Sequence, residues 1–179
     1  HRIFLEIIDR SSVSKDLVIT YNTNGTHYDP RFMEVWKKIP KVILNFSIDD
    51  LYHRFEYQRY PAKWDEVMLN LRRYQETAHN NVEIKFCTTV SLYNIFYLDE
   101  FINYNMMVTK IPILLNMVHF PEVMNIRNLP HEIKIKVLDK LNRLSKDALS
   151  YVISNSSIES VINYMMVDPV DPKGLENFV

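Results

Sequence analysis

The chain has 179 residues, two glycines and one cysteine, with 21 Lys and Arg against 22 Asp and Glu for a net charge of −1. Gly25 and Gly174 lie too far apart for a P-loop or a dinucleotide fingerprint, and Cys87 alone permits no internal disulfide, four-cysteine zinc site or three-cysteine iron–sulfur set. The near-balanced charge argues against a nucleic-acid backbone as partner, and 47% hydrophobic residues suffice for one sizeable core.

From His1 to Asp9, Ile3, Phe4, Ile7 and Ile8 recur at helical spacing, so the segment reads as the end of a helix. Leu17 to Tyr21 is a short β-rich run that leads into Asn22-Thr23-Asn24-Gly25-Thr26, a turn whose Asn and Gly tolerate positive φ. Phe32, Val35, Trp36 and Ile39 define a short amphipathic helix, which Pro40 ends. Lys41 to Ile48 is nearly continuous and apolar, which predicts a strand buried on both faces. Asp49 to Pro61 reads as a polar, aromatic loop. Trp64, Val67, Met68, Leu71 and Tyr74 then form one face of a longer helix. Asn80-Asn81 is a turn, Val82 to Leu92 a strand, Tyr97 to Val108 a helix and Ile111 to Val118 a fourth strand. This alternation predicts an α/β fold with a parallel sheet.

After Phe120 the pattern changes. Pro130 opens a helix that carries Ile133, Val137, Leu141 and Leu144. Ser156 or Ser157 is placed to cap another, with Ile158, Val161, Ile162 and Met165 inward. Residues 168–179 read as a tail. The expected division is therefore 1–120 for the strand-bearing part and 121–179 for a helical extension.

In parallel α/β structures, ligands bind at the carboxyl ends of the strands. That rule selects residues 22–27, 47–50, 89–94 and 116–119, all of them polar. Asn24 belongs to a turn that offers amides to a ligand, or to a plain connection. Ser47 and Asp49 place a hydroxyl and a carboxylate past a strand, suited to ribose hydroxyls or to helix capping. Arg59 is able to clamp a carboxylate, or to pair with Glu56 on the surface. Cys87 reads as a small core residue. The six histidines are scattered and match no zinc motif.

Taken together, Val18 to Thr26, Val42 to Asp49 and Glu56-Tyr57-Gln58-Arg59-Tyr60-Pro61 through Val67 resemble the radical S-adenosylmethionine enzymes, most closely those with a twitch or SPASM type extension. The order T-N-G, S-I-D, Arg-bearing loop and helix is kept, with Asp50 where that family usually has Gly, which removes an easy positive-φ position. The resemblance implies a partial (β/α)6 barrel, TIM-barrel-like, whose strands here are the third to sixth of six. It implies that Ser47 and Asp49 contact the ribose or methionyl part of S-adenosylmethionine, with Arg59 for its carboxylate. Asn24, Thr89, Ser91 and Asn94 would then line the cofactor or substrate side. It further implies a 4Fe–4S cluster whose C-x-x-x-C-x-x-C ligands, like the G-G-E-P motif, are not in this chain.

The first expectation is therefore a C-terminal portion of such an enzyme, inactive alone, acting on an unknown substrate, peptide or small molecule. The alternative is a non-catalytic half-barrel serving as a binding or interaction module. A third reading, an acid–base pair of Asp49 and His53, has no mechanism in its spacing. A lone thiol and the lack of a signal-peptide pattern lead us to expect a cytoplasmic protein. No apolar run is of membrane-spanning length. His1 rather than Met suggests a piece of something longer, with association through an exposed barrel edge.

Overall fold

The computed structural model describes residues 6–7, 16–152 and 157–171. Of the expected first helix, only Glu6 and Ile7 fall within them, and both are helical. Ser156 and residues 172–179 of the expected tail lie outside the described residues.

Four strands form one sheet: β1 (Val18–Thr23), β2 (Lys41–Phe46), β3 (Val82–Val90) and β4 (Ile113–Met117). They stand in chain order, each parallel to its neighbour. Between them run α1 (Pro30–Trp36), α2 (Tyr52–Gln58), α3 (Trp64–Thr77) and α4 (Leu98–Tyr104). With crossovers of one hand, this unreversed order puts the connecting helices on one face of the sheet. Burial agrees. Ile19, Val42, Leu44, Phe46, Phe86, Thr88, Val90, Ile113 and Leu115 point one way and are buried.

Val18, Thr20, Asn22, Lys41, Ile43, Asn45, Glu83, Lys85, Cys87, Thr89, Leu114 and Asn116 point the other way, and none is fully buried. The expectation of a strand buried on both faces is therefore corrected. β2 alternates, because Lys41, Ile43 and Asn45 belong to a face that no described element covers. Along β1, the edge away from β2 carries no strand among the described residues.

The helices follow from local chemistry. Asp29 caps α1 by accepting the Arg31 N–H at 3.0 Å, and Pro30 starts it. At the far end, Asn81 donates its amide to the carbonyls of Trp36 and Ile39, each at 2.7 Å, which stops the helix before Pro40. Trp64, Val67, Met68, Leu71 and Tyr74 of α3 are all buried, as their spacing predicts. The stretch expected as a loop from Asp49 to Pro61 contains α2. Local side-chain bonds start it: Asp50 accepts from the Leu51 N–H at 2.7 Å and from Arg54 at 2.9 Å, in the first turn. Asp50 has no positive φ, and Tyr52 two residues on has φ 50°.

α4 continues into a π turn (Asn105–Thr109), where buried Asn105 donates to the Ile111 carbonyl. The C-terminal part holds α5 (His131–Asn142), α6 (Lys146–Leu149) and α7 (Ile158–Met165). Ser157 caps α7, accepting from the Ser160 N–H at 3.2 Å. Val137, Leu141, Ala148 and Val161 join the same hydrophobic cluster as the sheet, and Val152 bridges in parallel to Ile113. No helix among the described residues is long and apolar enough to cross a membrane.

Candidate functional site

At the carboxyl ends of β2 and β3, two strand ends are pinned together by side chains. Asp49 is 7% exposed. One of its oxygens accepts the Thr89 N–H at 2.8 Å and the other accepts Arg59 Nε at 2.5 Å. Asn94, 1% exposed, lies beneath. Its amide donates to the carbonyls of Asp49 (2.9 Å) and Thr89 (2.8 Å), while its oxygen accepts the Ser91 N–H at 2.8 Å. Every polar atom of the Asn94 side chain is thus spent on backbone, which suits a buried polar group.

Above this pin opens a cleft of about 550 Å³, lined by Asp49, Gln58, Arg59, Thr89 and Ser91, with Tyr57, Tyr93, Phe120 and Met124 among its apolar walls. The volume is in the usual range for small-molecule sites. Tyr57 and Phe120 are largely exposed, and Tyr57 meets Tyr93 edge-on at 5.7 Å. Arg59 spends only Nε on Asp49, which leaves both terminal amino groups of its guanidinium for a ligand among the described contacts. Asp49 as a carboxylate has about four acceptor positions, of which two are used.

Of the residues singled out from sequence, Asp49, Arg59, Thr89 and Ser91 meet in this cleft, and Asn94 supports it from below. Ser47 lies half-buried at the end of β2, its N–H donating to the Thr23 carbonyl. Asn24 is exposed in the turn after β1, where its side chain accepts from Thr26. Neither of these lines the cleft. The surface pairing of Arg59 with Glu56 does not form, because Glu56 caps α3 at the Trp64 N–H (3.0 Å) and holds Lys63. Asp49 and His53 are not joined by a hydrogen bond among the described residues, and His53 is exposed on α2.

Asp50 turns away from the cleft. Burial pushes its carboxyl up, against the pull of the Leu51 N–H and Arg54. Arg54 stacks on Tyr97 at 4.1 Å and reaches Glu100 at 2.9 Å, while Lys140 binds Asp99 at 3.0 Å. This chain of ion pairs fastens α2, α4 and α5 together behind the site.

Cys87 is not in the core. It lies half-buried on the uncovered face, where its sulfur accepts from the Asn116 amide at 3.2 Å. Burial, and then the Asp49 charge, push its thiol up, which disfavours the thiolate. On the same face the Asn45 amide donates to Asn22 Oδ1 at 3.0 Å, and Lys85 is in register beside Asn45. Sequence reasoning missed this face. The signal was the period of two in Lys41, Ile43, Asn45 and in Glu83, Lys85, Cys87, Thr89, which a continuous apolar reading overlooks.

No group of three or more His, Cys, Asp or Glu able to hold a metal ion occurs among the described residues. No family model matches the sequence, and no curated protein matches it.

Proposed function

We propose that this chain is the C-terminal portion of a radical S-adenosylmethionine enzyme, contributing the cofactor-ribose and substrate-side walls of a partial (β/α)6 barrel. The observation that carries this reading is the meeting of Asp49, Arg59 and Ser91 in one cleft at the strand ends, beside a polar sheet face. Unreversed strand order supports a barrel-type winding over a doubly wound sheet, whose order reverses at a switch point.

The residues present fit the cofactor. Asp49 keeps two acceptor positions for ribose hydroxyls, and Arg59 keeps two amino groups for a carboxylate. The chemistry such a cofactor supplies is a 5′-deoxyadenosyl radical for hydrogen abstraction. This chain's share is to hold and orient, with Asn94 fixing the strand ends against which Asp49 and Arg59 are set. The residues present do not fit a 4Fe–4S cluster, since one cysteine cannot replace three. In this reading the cluster ligands belong to a preceding segment.

The second reading, a non-catalytic half-barrel module, draws on the Asp49–Arg59 ion pair, which also serves as a purely structural tie. Calorimetric titration of S-adenosylmethionine separates the two. This chain alone should bind weakly or undetectably. The product of the whole reading frame should bind in the micromolar range, with Arg59→Ala weakening it at least tenfold. Nanomolar binding to this chain alone would contradict the reading that half the site lies outside it, and an Arg59→Ala variant that binds as wild type would refute the cofactor role of this cleft.

A further inference from the structure

The sheet face that no element covers among the described residues carries an arrangement that the cleft does not use. Parallel sheets are ordinarily covered on both faces by apolar packing, whereas this face is mostly amides, hydroxyls, a thiol and charges, with Val18, Ile43 and Leu114 its apolar members. Its middle row runs Asn22, Asn45, Lys85 across three strands in register. Asn45 Nδ2 is spent on Asn22 Oδ1. That leaves the Asn22 amino group and the Asn45 carbonyl oxygen for a ligand among the described contacts. One row below, Glu83 takes Lys85 at 2.9 Å and Lys41 at 3.2 Å. The two lysines hold the Glu83 carboxyl below its usual range, Lys85 more strongly, so it stays ionised. Two ammonium groups therefore share one carboxylate, and the trio keeps one net positive charge.

Lys85 is the better placed of the two. Its side chain is 21% exposed against 51% for Lys41, so a charge beside it is less screened by water. An ammonium has three donors, and Glu83 accepts one of them.

We propose that this face binds the substrate through an oxyanion, a carboxylate or a phosphoryl group, held by Lys85, with the Asn22 and Asn45 amides taking neutral polar groups beside it. The occupant is a small anionic molecule, because the face offers one excess positive charge ringed by neutral hydrogen-bonding groups. As an assignment of substrate class, this rests on the barrel reading above, in which the same face looks inward. The binding of an anion there does not depend on it.

The test is a titration of this chain with inorganic phosphate and, separately, with acetate at low ionic strength, followed by backbone amide shifts. Saturable shifts should cluster at Asn22, Asn45 and Lys85 with at least one probe. The tighter of the two identifies the substrate's oxyanion as phosphoryl or carboxylate. Lys85→Met should weaken that binding at least tenfold, while Lys85→Arg and Lys41→Met change it by less than about threefold. Because Glu83 keeps Lys41, Lys85→Met should melt within a few degrees of wild type, and retained amide dispersion checks this. No saturable shift with either probe, shifts confined to Arg59, or a Lys85→Met variant that binds as well as wild type each overturns the proposal. These outcomes leave the cofactor titration untouched, and a failed cofactor titration leaves this one untouched.

Discussion

Replacing Asn94 with Ala removes the pin between β2 and β3. The side chain makes three hydrogen bonds, to the carbonyls of Asp49 and Thr89 and from the Ser91 N–H, all at 2.8–2.9 Å and in a position only 1% exposed. Each such bond contributes about 1 kcal/mol net, and a buried backbone group left without a partner costs ~1–3 kcal/mol. Partial water entry offsets some of this, so the expected loss is about 3–5 kcal/mol. That is a large part of the 5–15 kcal/mol typical of a domain. With a urea slope of roughly 2 kcal/mol/M, the unfolding midpoint should fall by about 1.5–2.5 M. Ser91→Ala is the control, since the Ser91 hydroxyl accepts one long bond, from the Tyr93 N–H at 3.3 Å. Its loss should be under about 1 kcal/mol. A midpoint for Asn94→Ala indistinguishable from that of Ser91→Ala would refute the pin.

Gly25 has φ +74°, and a Cβ there would meet Val67 Cγ1 at 2.8 Å and Phe46 Cδ1 at 2.9 Å. Gly25→Ala should therefore cost about 2–4 kcal/mol by chemical denaturation, from left-handed strain and overpacking together; an unchanged midpoint would contradict the turn geometry. Cys87, with its thiol pushed up from the ordinary value by burial, should react slowly with a thiol reagent at pH 7–8 and still accelerate above pH 9. A rate that levels off below pH 8 would overturn that environment. Asp29 is held at about 2 by its bonds to Arg31. Its folded pKa is depressed, so its contribution to stability is complete above the ordinary 3.8 and is lost as pH falls toward 2. A carbon-detected NMR titration should find the Asp29 carboxyl ionised at pH 3, and a midpoint near 4 would remove the ion pair.

The sheet was legible because its strands are bounded by strong punctuation: Asn22 to Thr26, Pro40, Asn80-Asn81 and Pro121. The third helix was legible because its apolar spacing is regular over a long span. α2 was not, since Tyr52–Gln58 buries only Phe55 and depends on Asp50 and Arg54, a pairing that pattern alone does not reveal. The site was half legible. Strand-end logic finds Asp49, Arg59 and Ser91 from position. It cannot tell that Asn94 spends its side chain on backbone, because that needs the Asp49 carbonyl 45 residues away, or that Asn24 turns its side chain to Thr26 instead of the cleft. Lys85 was hidden for another reason. The period of two places Lys85 on the polar face, but only the strand register sets it beside Asn22 and Asn45.

The most direct test of the account is to read the frame that precedes His1 in the gene. The radical S-adenosylmethionine reading predicts an in-frame C-x-x-x-C-x-x-C segment followed by a G-G-E-P-like motif, with room for two strands before β1. A frame that lacks either motif would contradict it, and would leave the sheet with its pinned cleft as a binding module.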